Sequence, residues 1–206
     1  MYFNFCMITN TMCTYIKKLQ KFDKSLKIKK KGPTIAVGGL SGSGKTTVAE
    51  SIAKATKLKL VNSGDIFRQL AKERKMKLEE FSKACTPEDD YEIDRRALKL
   101  AKQGNVVLVG RVAAFVAGDY ADWKIFVDCP LEIKTERVAK REHESVKKAR
   151  KQIISRDKRD AKRYKRLYGI NDSDTGIYDI IINTGHISKQ ETIERAKMIA
   201  KFLVRK

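Results

Sequence analysis

The sequence predicts an α/β domain of three layers, a parallel sheet covered by helices on both faces. Three observations point to it. Five short runs, at 34–38 (TIAVG), 59–61 (KLV), 106–109 (VVLV), 123–127 (WKIFV) and 178–182 (YDIII), are β-branched or aromatic and apolar without alternation, as strands buried on both faces are. Helical stretches near 45–56, 64–83, 90–103, 130–168 and 188–204 separate them, the alternation expected of this class. A glycine-rich loop joins the first strand to the first of these helices.

Taken along the chain, residues 1–32 read as an extension and 33–206 as the domain. Within the extension Ile16, Leu19, Phe22 and Leu26 recur at near-helical spacing among lysines, and the stretch stops at Gly32-Pro33. Such a segment is a basic amphipathic helix that touches RNA or an anionic surface, or a flexible tail, with Met7 and Met12 as later starts. The tail reading is preferred, and removal of 1–31 is then expected to leave activity largely unchanged.

The first strand runs directly into Gly39-Leu40-Ser41-Gly42-Ser43-Gly44-Lys45-Thr46, a complete G-x-x-x-x-G-K-[ST], followed by Thr47 and a helical sequence. The glycines let successive N–H groups turn inward onto phosphate oxygens, and the helix N-terminus adds its positive end. Lys45 reaches the β- and γ-phosphates in this pattern, and the Thr46 hydroxyl binds Mg²⁺. The segment is read as a nucleoside triphosphate site. No Asn-Lys-x-Asp base-reading motif is present, which disfavours a GTPase, and the small domain suits a kinase of small molecules.

Ser63-Gly-Asp65-Ile-Phe-Arg68 follows the second strand. Ser63 suits a helix N-cap, Asp65 the first turn, and Arg68 a bidentate grip on phosphate; a capped surface helix with an incidental arginine is the alternative. The third strand ends in Gly110-Arg111, at the carboxyl edge where open α/β sheets bind ligands; a salt-bridged structural arginine is the alternative. Asp128-Cys-Pro130 reads as an N-cap with proline at the first helical position. Arg156, Arg159, Asp160 and Arg163 share one helix face at i, i+3, i+4 and i+7. Such a cluster suits the charge of a transferring phosphoryl group, or is a solvated face with an Arg156–Asp160 pair.

The chain has 45 Lys plus Arg against 25 Asp plus Glu, a net +20, and residues 1–31 (+7) and 145–168 (+9) hold sixteen of those charges. That field attracts nucleotide, nucleic acid or an acidic surface alike. No apolar run approaches the ~18 residues of a membrane span. Cys6, Cys13, Cys85 and Cys129 form no C-x-x-C and have no histidine cluster, so a zinc site or disulfide framework is not expected and a reducing cytoplasm is.

The ordered set GGLSGSGKTT, NSGDIFRQLAKER, LEEFSKA, EIDRR, GNVVLVGR, DCPLEIKTERVAKRE, RDKRDAKRY, YGI and YDIIINT, spanning roughly 33–204, resembles the cytidylate kinases, most closely the archaeal type. The resemblance implies a phosphate-loop NTPase fold with a five-stranded parallel sheet of order 2-3-1-4-5. It also implies an NMP-binding region at about 63–103 and a helical lid at about 145–170. It implies transfer of the γ-phosphoryl group of ATP to CMP or dCMP with Mg²⁺, by a cytoplasmic monomer. By the family pattern residues 39–47 hold ATP, and Arg68 and Arg111 hold the acceptor phosphate, with Ser63 and Asp65 beside them. Arg156 and Arg163 close from the lid, and Asp160 meets the acceptor's sugar hydroxyls. Lys45, Arg111, Arg156 and Arg163 form the catalytic set. Kinases for UMP or AMP, and an RNA-associated ATP-binding protein, are the alternatives. Val109 stands where archaeal relatives often carry an acidic residue, and Val112 where bacterial relatives place Asp; the helix around Asp94–Gly104 is about one turn shorter than in archaeal relatives. These departures bear on base selectivity and Mg²⁺ handling.

Overall fold

The computed structural model describes residues 10–203, with side chains described from Lys17 onward. Helix α1 (Asn10–Ser25) precedes β1 (Thr34–Gly38) and α2 (Lys45–Thr56). Then come β2 (Lys59–Asn62), α3 (Ser63–Glu73), α4 (Leu78–Ala84), α5 (Pro87–Gln103), β3 (Val106–Val109) and α6 (Ala113–Ala117). After a 3₁₀ turn the chain continues through β4 (Trp123–Asp128), α7 (Leu131–Glu142), α8 (Val146–Tyr168), β5 (Ile180–Asn183) and α9 (Lys189–Leu203).

The five strands are parallel, in the order β2-β3-β1-β4-β5, as the family resemblance implies. Every residue of β1 and β3 is buried, which is why their sequences do not alternate. Ile35 and Val37 face α2 and α9 through Val48, Ile52, Ala196 and Ala200. Ala36 and Leu108 face α5 and α6 through Ala101, Ala113 and Ala117. Small residues on that second face let the helices approach closely. Val37 lies beside Val109 on one side and Ile125 on the other, so the loops after β1, β3 and β4 open at one edge.

Outside the sheet, two smaller apolar clusters stand apart. Ile66, Leu70, Phe81, Ile93 and Ala97 tie α3, α4 and α5 together. Val138, Ala139, Ala149 and Ile153 tie α7 to α8.

Several local expectations are corrected. The helix expected over 64–83 is two, parted where Lys75 takes φ 55° and Met76 N–H donates to the Ala71 carbonyl at 3.0 Å. The one expected over 130–168 is also two, parted at His143 (φ 54°), with Glu144 N–H donating to Ala139 at 3.0 Å. Both are left-handed C-terminal caps made without glycine. Ser63 is not the cap of α3: Asn62 is, its Oδ1 accepting from Gly64 N–H at 2.8 Å. Asp128 ends β4 exposed, and Pro130 rather than Asp128 stands at the N-cap of α7.

Helix α1 packs on the body where the sequence expects a flexible tail. Leu19 joins Leu167, Tyr168, Tyr91 and Tyr164. Asp23 accepts from Lys102 Nζ at 3.0 Å and Tyr120 OH at 2.9 Å, and Arg95 stacks over Phe22 at 5.1 Å. The side chains of Cys6, Cys13 and Ile16 lie outside the described residues; Cys85 and Cys129 are free thiols. No described helix is long and apolar enough to cross a membrane.

Candidate active site

The loop after β1 owes its shape to two glycine positions. Gly39 has φ 140°, and a Cβ there would overlap the Val127 carbonyl; Gly44, at φ 87°, caps α2 without a side chain. These conformations carry a steric cost for other residues. The turn brings Lys45 back so that its Nζ donates to the Leu40 carbonyl at 3.1 Å. Burial pushes the Lys45 pKa down to about 8, and the guanidinium groups of Arg111 and Arg156 push it the same way. A lysine held this way gains most from an incoming phosphate.

The loop forms the floor of a cavity of about 620 Å³, with Lys45, Thr46 and Thr47 at its base and Arg156 on its wall. That volume is in the ordinary range for small-molecule sites. Arg137 and Arg141 of α7 and Thr184 after β5 line it too, and sequence reasoning passed over all three. The only signal for the two arginines was their i, i+4 spacing, which this lysine- and arginine-rich chain repeats in many places. Thr46 is exposed and lines the cavity.

Beyond the loop, Ser63 is brought against the end of β3, where a Cβ on Gly110 would overlap its hydroxyl. Asp65 and Arg68 form an exposed ion pair with each other. Arg111 is buried and turned into a carboxylate cluster. It meets Asp157 at 2.6 Å, Asp172 at 3.1 Å and Asp160 at 3.3 Å, and donates to Ser41 Oγ at 2.7 Å. One guanidinium thus ties the phosphate loop, α8 and the segment after α8 to the end of β3. Asp157 and Asp172 were not picked out from the sequence. Burial raises the Asp160 pKa against the pull of Arg111, Arg156 and Arg159.

The arginines of α8 are divided. Arg156 and Arg159 are exposed and flank Asp160 at 3.9 and 3.7 Å. Arg163 instead crosses to α5, where its Nε donates to Asp90 at 2.7 Å and its Nη2 to Cys85 Sγ at 3.4 Å. Lys45, Ser41 and Arg156 therefore share the cavity, Arg111 and Asp160 lie in the adjoining carboxylate cluster, and Arg68 and Arg163 stand apart on α3 and at α5. Among the described residues no group of His, Cys, Asp or Glu is placed to hold a metal by itself.

Comparison with known proteins agrees with this architecture. The chain is 46% identical over 174 residues to a cytidylate kinase from Methanopyrus kandleri, covering 79% of this chain and 90% of that one. It is 49% identical over 158 residues to one from Pyrococcus horikoshii, covering 76% and 82%. Among solved structures, an uncharacterized protein from Eubacterium ventriosum superposes with a TM-score of 0.65 at 22% identity, covering 84% of this chain and 99% of that one. Shikimate kinase from Bacteroides thetaiotaomicron does so at 0.57 and 13%, with the same coverage. These two speak for the fold alone. Residues 34–186 match the cytidylate kinase-like family, and on that match and those identities the chain belongs to it.

Proposed function

We infer that the protein is a cytidylate kinase, transferring the γ-phosphoryl group of ATP to CMP or dCMP to give ADP and CDP or dCDP. The observation that carries this is the continuity of the family match across the phosphate loop, Gly110-Arg111 and the α8 arginines; in support, the loop and Arg156 line one cavity and Arg111 lies in the ion cluster beside it.

The reading assigns the loop amides of residues 39–47 and Lys45 to the donor phosphates, and Arg111, Arg68 and Ser63 to the acceptor side. Arg156 lies at the cavity wall, where it meets charge spreading over the transferring group. Arg163 and Asp160 join on closure of α8, Asp160 toward the sugar. The separate apolar clusters of α3–α5 and α7–α8 suit two parts that move against the sheet. No general base is required, because the attacking phosphate oxygen is already anionic; catalysis is positioning and charge neutralisation.

Mg²⁺ fits as an ion that arrives with the nucleotide: Thr46, which carries a hydroxyl, lines the cavity, and a nucleotide-borne Mg²⁺ keeps several waters and needs few protein ligands. When bound it neutralises charge between the β- and γ-phosphates. The protein is read as a cytoplasmic monomer.

The test is coupled ADP release with ATP, Mg²⁺ and each of CMP, dCMP, UMP and AMP. Turnover with CMP or dCMP well above the others is expected. Preference for UMP or AMP, or no turnover with any acceptor, overturns the reading.

A further inference from the structure

We propose that Thr184, in the turn after β5, is a positioning residue that fixes the orientation of the Ser43–Gly44 peptide in the phosphate loop. The inference rests on the ATP reading above and adds a residue to it.

Thr184 is fully buried, and its hydroxyl lies between two groups of different kind. Its Oγ1 donates to the Ser43 carbonyl at 2.8 Å and accepts from Arg137 Nη1 at 2.9 Å. A second carbonyl, that of Asp128, lies farther away at 3.3 Å. A threonine hydroxyl has one proton. With the guanidinium donating to the oxygen, that proton is left for a carbonyl, and the nearer one is Ser43.

The target matters because of what lies on the other side of that peptide. The bond is trans, so the Ser43 carbonyl and the Gly44 N–H point in opposite directions. Holding the carbonyl back against Thr184 aims the N–H away from Thr184. Gly44 lines the cavity and opens α2 with φ 87°. Glycine tolerates either orientation of the peptide before it at little cost. A flip would replace a donor at the phosphate site with a carbonyl that repels phosphate. Among the described residues no backbone hydrogen bond outside the helices holds the Ser43 carbonyl or the Gly44 N–H; the hydroxyl of Thr184 holds the carbonyl.

Arg137 holds the hydroxyl in turn. Its Nη2 donates to the Thr184 carbonyl at 2.6 Å and the Ile187 carbonyl at 3.2 Å, and Thr184 N–H donates to the Asp128 carbonyl at 2.9 Å. The turn is therefore anchored to α7 and to the end of β4 without using the hydroxyl proton, and removal of the hydroxyl leaves those anchors in place.

The experiment compares wild type, Thr184→Val and Thr184→Ser by steady-state kinetics with ATP varied at saturating CMP and the reverse, together with thermal melts. Val keeps the volume and removes the hydroxyl; Ser keeps the hydroxyl. Thr184→Val is expected to raise KM for ATP about tenfold, the effect of one buried hydrogen bond, with KM for CMP within about twofold of wild type. Thr184→Ser is expected to restore KM for ATP to within about threefold of wild type. Thr184→Ala takes the place of Thr184→Val should the latter not fold. A lowered Tm with unchanged KM for ATP overturns the proposal, as does an equal rise in both KM values or a failure of Ser to rescue. Wild type without CMP-dependent turnover refutes the kinase reading instead, and the two failures are thereby distinct.

Discussion

Replacing Arg111 by Met tests whether the buried ion cluster is built as described. Arg111 is 8% exposed, and the side chains around it are 2% (Asp172), 12% (Asp160) and 21% (Asp157) exposed, so solvent screens these contacts weakly. Removing one partner of a buried ion pair costs about 3–5 kcal/mol, chiefly through the charge left behind. Here three carboxylates are left. Asp157 keeps Lys134 Nζ at 3.7 Å. Among the described residues Asp160 keeps only the exposed Arg156 and Arg159 at 3.9 and 3.7 Å, pairs of little worth. Asp172 keeps no cation among the described residues. The lower end, about 3 kcal/mol, is the cautious figure, and at roughly 2–4 °C per kcal/mol for a chain of this size it lowers Tm by about 6–12 °C. The sign with pH follows. Burial already raises the Asp160 pKa against the pull of Arg111, so without Arg111 it is raised further and protonation of Asp160 favours the folded form. The deficit relative to wild type is full at pH 7.5 and shrinks as pH falls toward 5. Differential scanning fluorimetry of both proteins at the two pH values measures it. A loss below about 3 °C at pH 7.5, or the same loss at both, refutes the reasoning.

Three more outcomes follow from the same contacts. Because Lys45 has a pKa lowered to about 8 by burial and by Arg111 and Arg156, most of it is neutral at pH 8.5, and bound phosphate recharges it. ATP binding there should take up about 0.8 proton, read by calorimetry in two buffers of different ionisation enthalpy, and Lys45→Met should abolish the uptake. Gly110→Ala places a Cβ into Ser63 and forces the start of α3 off the end of β3. KM for CMP should rise severalfold and stability should fall by about 1–3 kcal/mol, with KM for ATP unchanged; an equal shift in both KM values contradicts the placement. Arg163→Ala should lower turnover far more than it weakens ATP binding, and a change in ATP affinity alone excludes Arg163 from the lid role.

What could be read from the sequence, and what could not, divides along a physical line. The strands were legible because VVLV or TIAVG has nowhere to be but inside a covered sheet. The phosphate loop was legible because its glycines and Lys45 act through local backbone geometry. The breaks at Lys75 and His143 were not, since non-glycine left-handed caps carry almost no compositional signal. The spacing of Leu19, Phe22 and Leu26 showed that α1 could form, but its packing depends on Leu167, Tyr91 and Tyr120, residues far along the chain. Arg111 was picked for its place at a strand end, yet its partners Asp157, Asp160 and Asp172 lie 46 to 61 residues away. Thr184 carried no signal at all: a threonine after a strand is common, and its importance lies in the carbonyl 141 residues distant that it holds.

The two basic stretches suggested a positive field awaiting an anion, and the fold changes what that field means. In α8, Arg163 is committed to Asp90 and Arg156 and Arg159 to Asp160, while Asp157 and Asp160 in turn occupy Arg111. On the proposed assignment the guanidinium that takes the acceptor phosphate is therefore held by carboxylates of the helix proposed to close. On that assignment an acceptor phosphate that takes Nη2 of Arg111 displaces them, and a carboxylate released from a buried arginine stays charged only by moving toward water or another cation. The exchange links acceptor binding to movement of α8 with no relay between them, because the same ionic contacts belong to both. On that assignment the acidic residues of the proposed lid set its resting position, and its arginines act after the acceptor has displaced those carboxylates.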